Sequence, residues 1–142
     1  MVIDHIGIVV RSLELGIRQW EELFGYVRNS DVVTNSRQKV RVVFLRKRHS
    51  LTVKLLEPLG PDSSISAFAA KGGGLHHICF RCSDISQEIL HLKQNGVRQL
   101  VAPQPGEAFC NHDIAFLFAE NNLNIELIDT TEKRVWNAES EI

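Results

Sequence analysis

Two stretches of the chain match at a constant offset of 72 residues: "IDHIGIVVRSLELGIRQWEELFG" near the start and "LHHICFRCSDISQEILHLKQNG" in the middle. At that offset His5 falls on His77, Ile6 on Ile78, Leu13 on Ile85, Ile17 on Ile89 and Trp20 on Leu92. The same shift lays "LTVKLLE" on "LNIELID", so Lys54 falls on Glu126. An internal repeat of this kind means two copies of one supersecondary unit packed on each other. His76 falls on Asp4, so of the paired histidines His77 holds the repeated position and His76 stands beside it.

Each copy reads as strand, helix, then further strands, and the implied fold class is α+β. His5 to Val10 and His77 to Cys82 have strand character. Helices follow with apolar residues at helical spacing (Leu13, Ile17, Trp20, Phe24; Ile85, Ile89, Leu92). Ser12 and Ser83 or Asp84 are the expected caps, and Gly25 and Gly96 the expected ends. Residues 40–45 and 51–56 form an expected hairpin around "RKRHS", matched by 114–118 and 123–128 around "AENN"; weaker strands fall near 26–33 and 97–101. The expected division is module one at 1–60, a linker helix within 61–73, module two at 74–130 and a C-terminal tail at 131–142. In the linker, Asp62 or Ser63 should cap a short helix. Its three glycines should connect elements and not cradle phosphate, because a strand follows them and not a helix. The basic tip Arg46, Lys47, Arg48 is expected to be solvated, with a weak part in holding substrate phosphates left open.

Strand alternation assigns faces. Ile6, Ile8 and Val10 share one side of the first strand, with His5 on the other, and Ile78 and Phe80 oppose His77 in the same way. Val53 and Leu55 flank Lys54 as Ile125 and Leu127 flank Glu126. If the apolar sets lie under the helices, His5, Lys54, His77 and Glu126 share the opposite face, and a two-fold relation gathers all four in one cleft. Charged groups buried without partners cost several kcal/mol, so such a set must pair internally or bind something. His76, on the side of Ile78, is expected to face the helices and be dispensable for any metal.

Composition sets the limits around this. A chain of 142 residues with 44% hydrophobic content suits one core, and a net charge of −1 offers no basic excess for nucleic acid. No apolar run reaches the roughly 18 residues of a membrane span, and the early Asp4 and His5 do not suit a signal peptide. Three cysteines point to a reducing, cytoplasmic setting. Cys79 and Cys82 make a C-x-x-C, yet residues three apart on a strand face opposite ways, and no second pair completes a zinc site.

"IDHIGIVV", "LLEPLGPDSSISAF", "GGGLHHICF" and "NIELID" together resemble the vicinal-oxygen-chelate superfamily, the glyoxalase and bleomycin-resistance group, and within it methylmalonyl-CoA epimerases. The resemblance covers nearly the whole chain. It implies two β-α-β-β-β modules pairing their sheets around a cup, within one chain or across a homodimer. It also implies a divalent metal (Co, Zn, Ni, Mn or Fe) on the pseudo-two-fold, with a small carbonyl or acyl-CoA substrate. The family's ligand positions match His5, Lys54, His77 and Glu126, so His5, His77 and Glu126 are the expected metal ligands. Lys54 departs from the pattern, because an ammonium has three donors and no lone pair. Epimerases of the family carry a carboxylate before the second strand, where this chain has Arg37, Gln38 and Lys39. Glu57 lies on the opposite face from Lys54 and cannot replace it.

Three functions follow. One is a metal-assisted isomerase or lyase with Glu126 and Lys54 as the candidate catalytic residues. Another is a non-haem Fe(II) dioxygenase using the 2-His-1-carboxylate set His5, His77 and Glu126. The last is a metal-free small-molecule binding protein in which a Lys54–Glu126 ion pair takes the metal's position.

Overall fold

The computed structural model describes residues 1–133, so most of the expected tail lies outside the described residues. In the first half, β1 (Val2–Val9) leads to α1 (Leu13–Phe24), then β2 (Val27–Arg28), β3 (Val33–Asn35), β4 (Val40–Arg46) and β5 (Thr52–Pro58). A five-residue helix, α2 (Ser66–Ala70), bridges to the second half. There β6 (Gly74–Arg81) leads to α3 (Ile85–Gln94), β7 (Arg98–Gly106), a 3₁₀ turn at Glu107–Phe109, β8 (His112–Ala119) and β9 (Leu123–Ile128). The fold is α+β, with one curled, unclosed nine-stranded sheet in the order β2-β4-β5-β1-β6-β9-β8-β7 and β3 on β4.

The halves meet where β1 and β6 run antiparallel, with Ile6 opposite Ile78. Each then pairs in parallel with the last strand of its own half, β1 with β5 and β6 with β9. The four central strands therefore bring residues 5, 54, 77 and 126 to one level. α1 covers the outer face of the first half through Leu13, Val43, Leu45, Val53 and Leu55. α3 does the same in the second half through Ile85, Ile89, Ala115, Leu117, Ile125 and Leu127. The concave side has its own core, including Val9, Val42, Phe44, Cys79, Phe109, Ile114 and Ile128.

Local sequence explains the element ends. Ser12 caps α1 by accepting from the Leu15 amide, and Gly25 ends it in the left-handed region at φ 69°. Asp84 is the cap of α3. The linker corrects one expectation: Ile65 is at the N-cap of α2 and no side chain caps it. Asp62 and Ser63 precede the helix, and Ser66 Oγ instead donates to the Gly60 carbonyl. Gly72, Gly73 and Gly74 all have positive φ (119°, 70° and 112°), the reason three glycines lead from α2 into the start of β6.

Two regions of strand differ from expectation. β7 extends to Gly106 through Pro103 and Pro105, with two irregularities against β8. Prolines end a strand reading from sequence, but an edge strand tolerates them because its outer amides are unpaired. In the region expected to hold one weak strand around 26–33 there are two short ones, β2 and β3, both on β4.

Candidate active site

His5 and His77 stand near the β1–β6 seam, Lys54 and Glu126 on the strands outside them. All four are buried, none more than 2% exposed. His77 Nε2 lies 3.1 Å from Glu126 Oε2 and 3.4 Å from His5 Nε2, while His5 Nε2 lies 3.8 Å from Glu126 Oε1. Lys54 Nζ sits on the same carboxylate, 3.3 and 3.4 Å from its two oxygens. The repeat is visible in the partners: Phe44 pairs across the ladder with Lys54, and Phe116, at the same 72-residue offset, pairs with Glu126.

Each site histidine is held at Nδ1 by the residue before it. Asp4 Oδ2 lies 2.8 Å from His5 Nδ1, and His76 Nδ1 lies 3.0 Å from His77 Nδ1. Both arrangements come from irregularities in the β1–β6 ladder, which skip Asp4 on one strand and His76 on the other. An extra residue at such a point leaves the two-residue alternation and re-aims its side chain. His76 therefore does not face α3 as strict alternation implies. It lines the cup beside His77 and packs edge-on against Phe68 of α2, with ring centres 5.4 Å apart.

Asp4 also pairs with Arg81 and Lys133, each at 3.2 Å. Burial acts to raise the Asp4 carboxyl, but His5 and Lys133 outweigh it and hold the group below its ordinary value. With the carboxylate accepting, His5 presents Nδ1–H to Asp4 and a lone pair on Nε2 to the centre of the site. Burial first, with the neighbouring charges of Lys54 and His77, brings His5 down to about 4 against the pull of Asp4 and Glu126. Burial would raise Glu126, yet Lys54, His77 and His5 carry it well below the usual carboxylate range. Glu126 is thus an anion at neutral pH.

Beyond the four groups lies a cavity of about 690 Å³, with Lys54, His76 and His77 in its wall and His5 and Glu126 behind them. The rim holds Arg37, Gln38 and Lys39, where the resemblance leads one to look for a carboxylate. Of the described residues lining the cavity only Asp62 is acidic; it is mostly exposed and 3.8 Å from Lys39. Glu57 lies outside the cup, accepting from the Leu13 amide at the start of α1. Gln38 Nε2 is a buried donor without a hydrogen-bond partner among the described residues.

Sequence reasoning missed Phe109 and Lys133. Phe109 is 6.0 Å from the His5 ring and 5.1 Å from Lys54 Nζ. It comes from the 3₁₀ turn, pinned where Asn35 Oδ1 accepts from the Ala108 amide. Its repeat partner is Arg37, so the repeat held no signal for it. Phe44 was findable, since it matches Phe116 at the common offset.

By type and spacing His5, His77 and Glu126 form a group that can hold a metal ion, their ligand atoms lying within 4.8 Å of one another. The complete set of four positions does not fit one. Lys54 brings an ammonium to the fourth corner and places it on Glu126. Asp4, His5 and Cys79 are also mutually close, but the Asp4 oxygens are already taken by His5, Arg81 and Lys133. Cys79 and Cys82 lie in different cores, one inside the cup and one under α3.

A curled sheet built from two repeats, with two histidines and a carboxylate meeting at the seam, defines a class of protein. The chain belongs to the Glyoxalase/Bleomycin resistance protein/Dioxygenase superfamily, which matches residues 4–116. Its relatives include methylmalonyl-CoA epimerases. It is 33% identical over 100 residues to the mitochondrial methylmalonyl-CoA epimerase of Mus musculus, covering 69% of this chain and 55% of that protein. The chain thus spans about half the length of this mammalian relative. It is also 33% identical over 132 residues to an uncharacterised Bacillus subtilis protein, covering 89% of this chain and 91% of that one. The Mycobacterium tuberculosis methylmalonyl-CoA epimerase structure superposes with a TM-score of 0.79 at 28% identity, covering 89% of this chain and 86% of that one. A methylmalonyl-CoA epimerase in complex with methylmalonyl-CoA and NH4+ gives 0.80 at 27% identity, covering 94% and 97%. Among the described residues no helix is long and apolar enough to cross a membrane.

Proposed function

We propose that the protein is an isomerase acting at the α-carbon of an acyl-CoA thioester, resembling methylmalonyl-CoA epimerase. The observation that carries this is the pairing of a buried anionic carboxylate, Glu126, with proton-bearing groups that reach the cup, His77 and Lys54. In this reading Lys54 donates to the thioester oxygen, and His77, with the buried Glu126 behind it, takes and returns the α-proton. Gln38, with its free amide donor on the cavity wall, suits a second acceptor on the acyl group. Related epimerases have been solved with methylmalonyl-CoA and with 2-nitronate-propionyl-CoA, which supports a CoA thioester as the ligand class. The first of these also contains an ammonium ion, the chemical group Lys54 carries. If Lys54 were displaced, His5, His77 and Glu126 are the residues that would hold a divalent ion, which would polarise the thioester carbonyl.

The oxygenase alternative is less well supported. A 2-His-1-carboxylate iron site needs open coordination positions, and here a lysine ammonium lies on the carboxylate.

Incubation with methylmalonyl-CoA in heavy water tests the proposal. The protein should exchange the α-proton, and Glu126→Gln should slow exchange by about a hundredfold or more. No exchange, with or without added cobalt, rules the isomerase out and leaves a binding protein.

A further inference from the structure

The chain itself brings a cation into this site. Lys54 Nζ is anchored from behind by both Glu126 oxygens and flanked by the faces of Phe109 and Phe44, at 5.1 and 5.8 Å from the ring centres. The residue is only 2% exposed, yet it forms part of the cavity wall. A positive charge lying on a carboxylate and between aromatic faces is stabilised in three ways without a metal. A divalent ion among His5, His77 and Glu126 would compete with that ammonium for the same carboxylate and gain no fourth donor from it.

We propose that the Lys54 ammonium is the resident cation of the site. The protein then works without a divalent metal, and Lys54 holds the thioester oxygen of the bound acyl-CoA as negative charge develops on it. The identity of the ligand rests on the acyl-CoA reading above; the identity of the cation does not. Glu126 has two oxygens, so it can stay on the ammonium from behind while the remaining N–H groups turn to the cup. His77 keeps its contact with the carboxylate, and Asp4 keeps His5 oriented.

Two measurements test this, and they fail separately. The first uses cobalt alone, with protein stripped by chelator. Wild type should bind Co(II) weakly, whereas Lys54→Gln, which supplies a carbonyl oxygen in place of the ammonium, should bind at least about tenfold more tightly by the visible spectrum. Tight stoichiometric binding by wild type, or no gain in Lys54→Gln, overturns the proposal. The second uses 2-nitronate-propionyl-CoA, a thioester carrying a planar anion, in calorimetry with stripped protein. It should bind wild type without metal, and added cobalt should leave the affinity unchanged. Lys54→Met leaves Glu126 buried and unpaired, so the comparison is with Lys54→Met/Glu126→Gln, which removes both charges and retains the shape. Its melting temperature reports folding. The double variant should lose about ten- to a hundredfold in affinity, the worth of a charge-assisted hydrogen bond. Binding that needs cobalt, or equal affinity in the double variant, overturns the proposal. If the probe binds under no condition, the acyl-CoA reading fails, and the cobalt titration alone decides the role of Lys54.

Discussion

Gly7 shows how tightly the seam is built. A Cβ at this position would come within 2.0 Å of His77 Cε1, so the His77 ring occupies the space a side chain would fill. Gly7 pairs with His77 across the β1–β6 ladder, and the absence of a side chain is what permits a histidine to lie flat against the opposite strand. Gly7→Ala should therefore destabilise the fold by about 1–3 kcal/mol, the usual cost of overfilling a packed site. It should also shift the His77 imidazole resonances, and thermal unfolding with NMR checks both. An alanine that left the ring signals in place would mean the ring has another position open to it. The four central residues were legible because two properties coincide in them: they recur at one offset, and they oppose the apolar positions of their strands. His76 was not legible. Alternation gave it the helix side, and only the irregularity that skips it turns it into the cup. His76→Ala should accordingly weaken ligand binding in the cup, whereas a residue under α3 would affect stability alone. Isothermal titration with 2-nitronate-propionyl-CoA separates the two.

Elements were read well where they are amphipathic and capped, as with α1 and α3, and poorly where tertiary pairing overrides local preference. β7 carries two prolines and persists because it is an edge strand of an otherwise continuous ladder. The 3₁₀ turn that delivers Phe109 has no periodicity to reveal it, and depends on the distant Asn35. The start of α1 draws on a distant residue too. Besides Ser12, the Glu57 carboxylate on β5 accepts from the Leu13 amide at 2.5 Å and lies 3.4 Å from Arg41, which in turn holds Glu14 at 2.7 Å. A carboxylate at a helix N-terminus satisfies an otherwise unpaired amide and complements the helix dipole. This is the reason Glu57 is unavailable to the cup. Glu57→Ala should lower stability by about 1 kcal/mol while leaving acyl-CoA binding unchanged. Denaturant unfolding and calorimetry on the same variant check both halves, and an effect on ligand affinity would place Glu57 in the wrong role.

At the scale of the whole molecule, the repeat concentrates titratable groups in one buried seam, and that fixes how the fold responds to acid. His5 and His76 are each brought down to about 4 from the ordinary 6.5, burial being the leading cause in both. Between those two pH values an unfolded chain binds protons that the folded one refuses, so stability falls as pH falls. The buried His5 alone adds a slope of up to about 1.4 kcal/mol per pH unit in that window. The carboxylates work in the same direction lower down. Glu126 lies well below its ordinary 4.5 and Asp4 below 3.8. Their contribution is complete above those values and is lost as pH drops through the folded-state values. The two windows adjoin, so acid should destabilise the protein continuously from about pH 6.5 downward. Urea midpoints should be level above about pH 7 and decline steadily below about pH 6.5, and His76→Ala should show a shallower decline than wild type between about 6.5 and 4. A midpoint flat down to about pH 5 would mean that the imidazoles accept protons inside the folded cup. The pull of Asp4 and Glu126 would then outweigh the burial that keeps the imidazoles neutral.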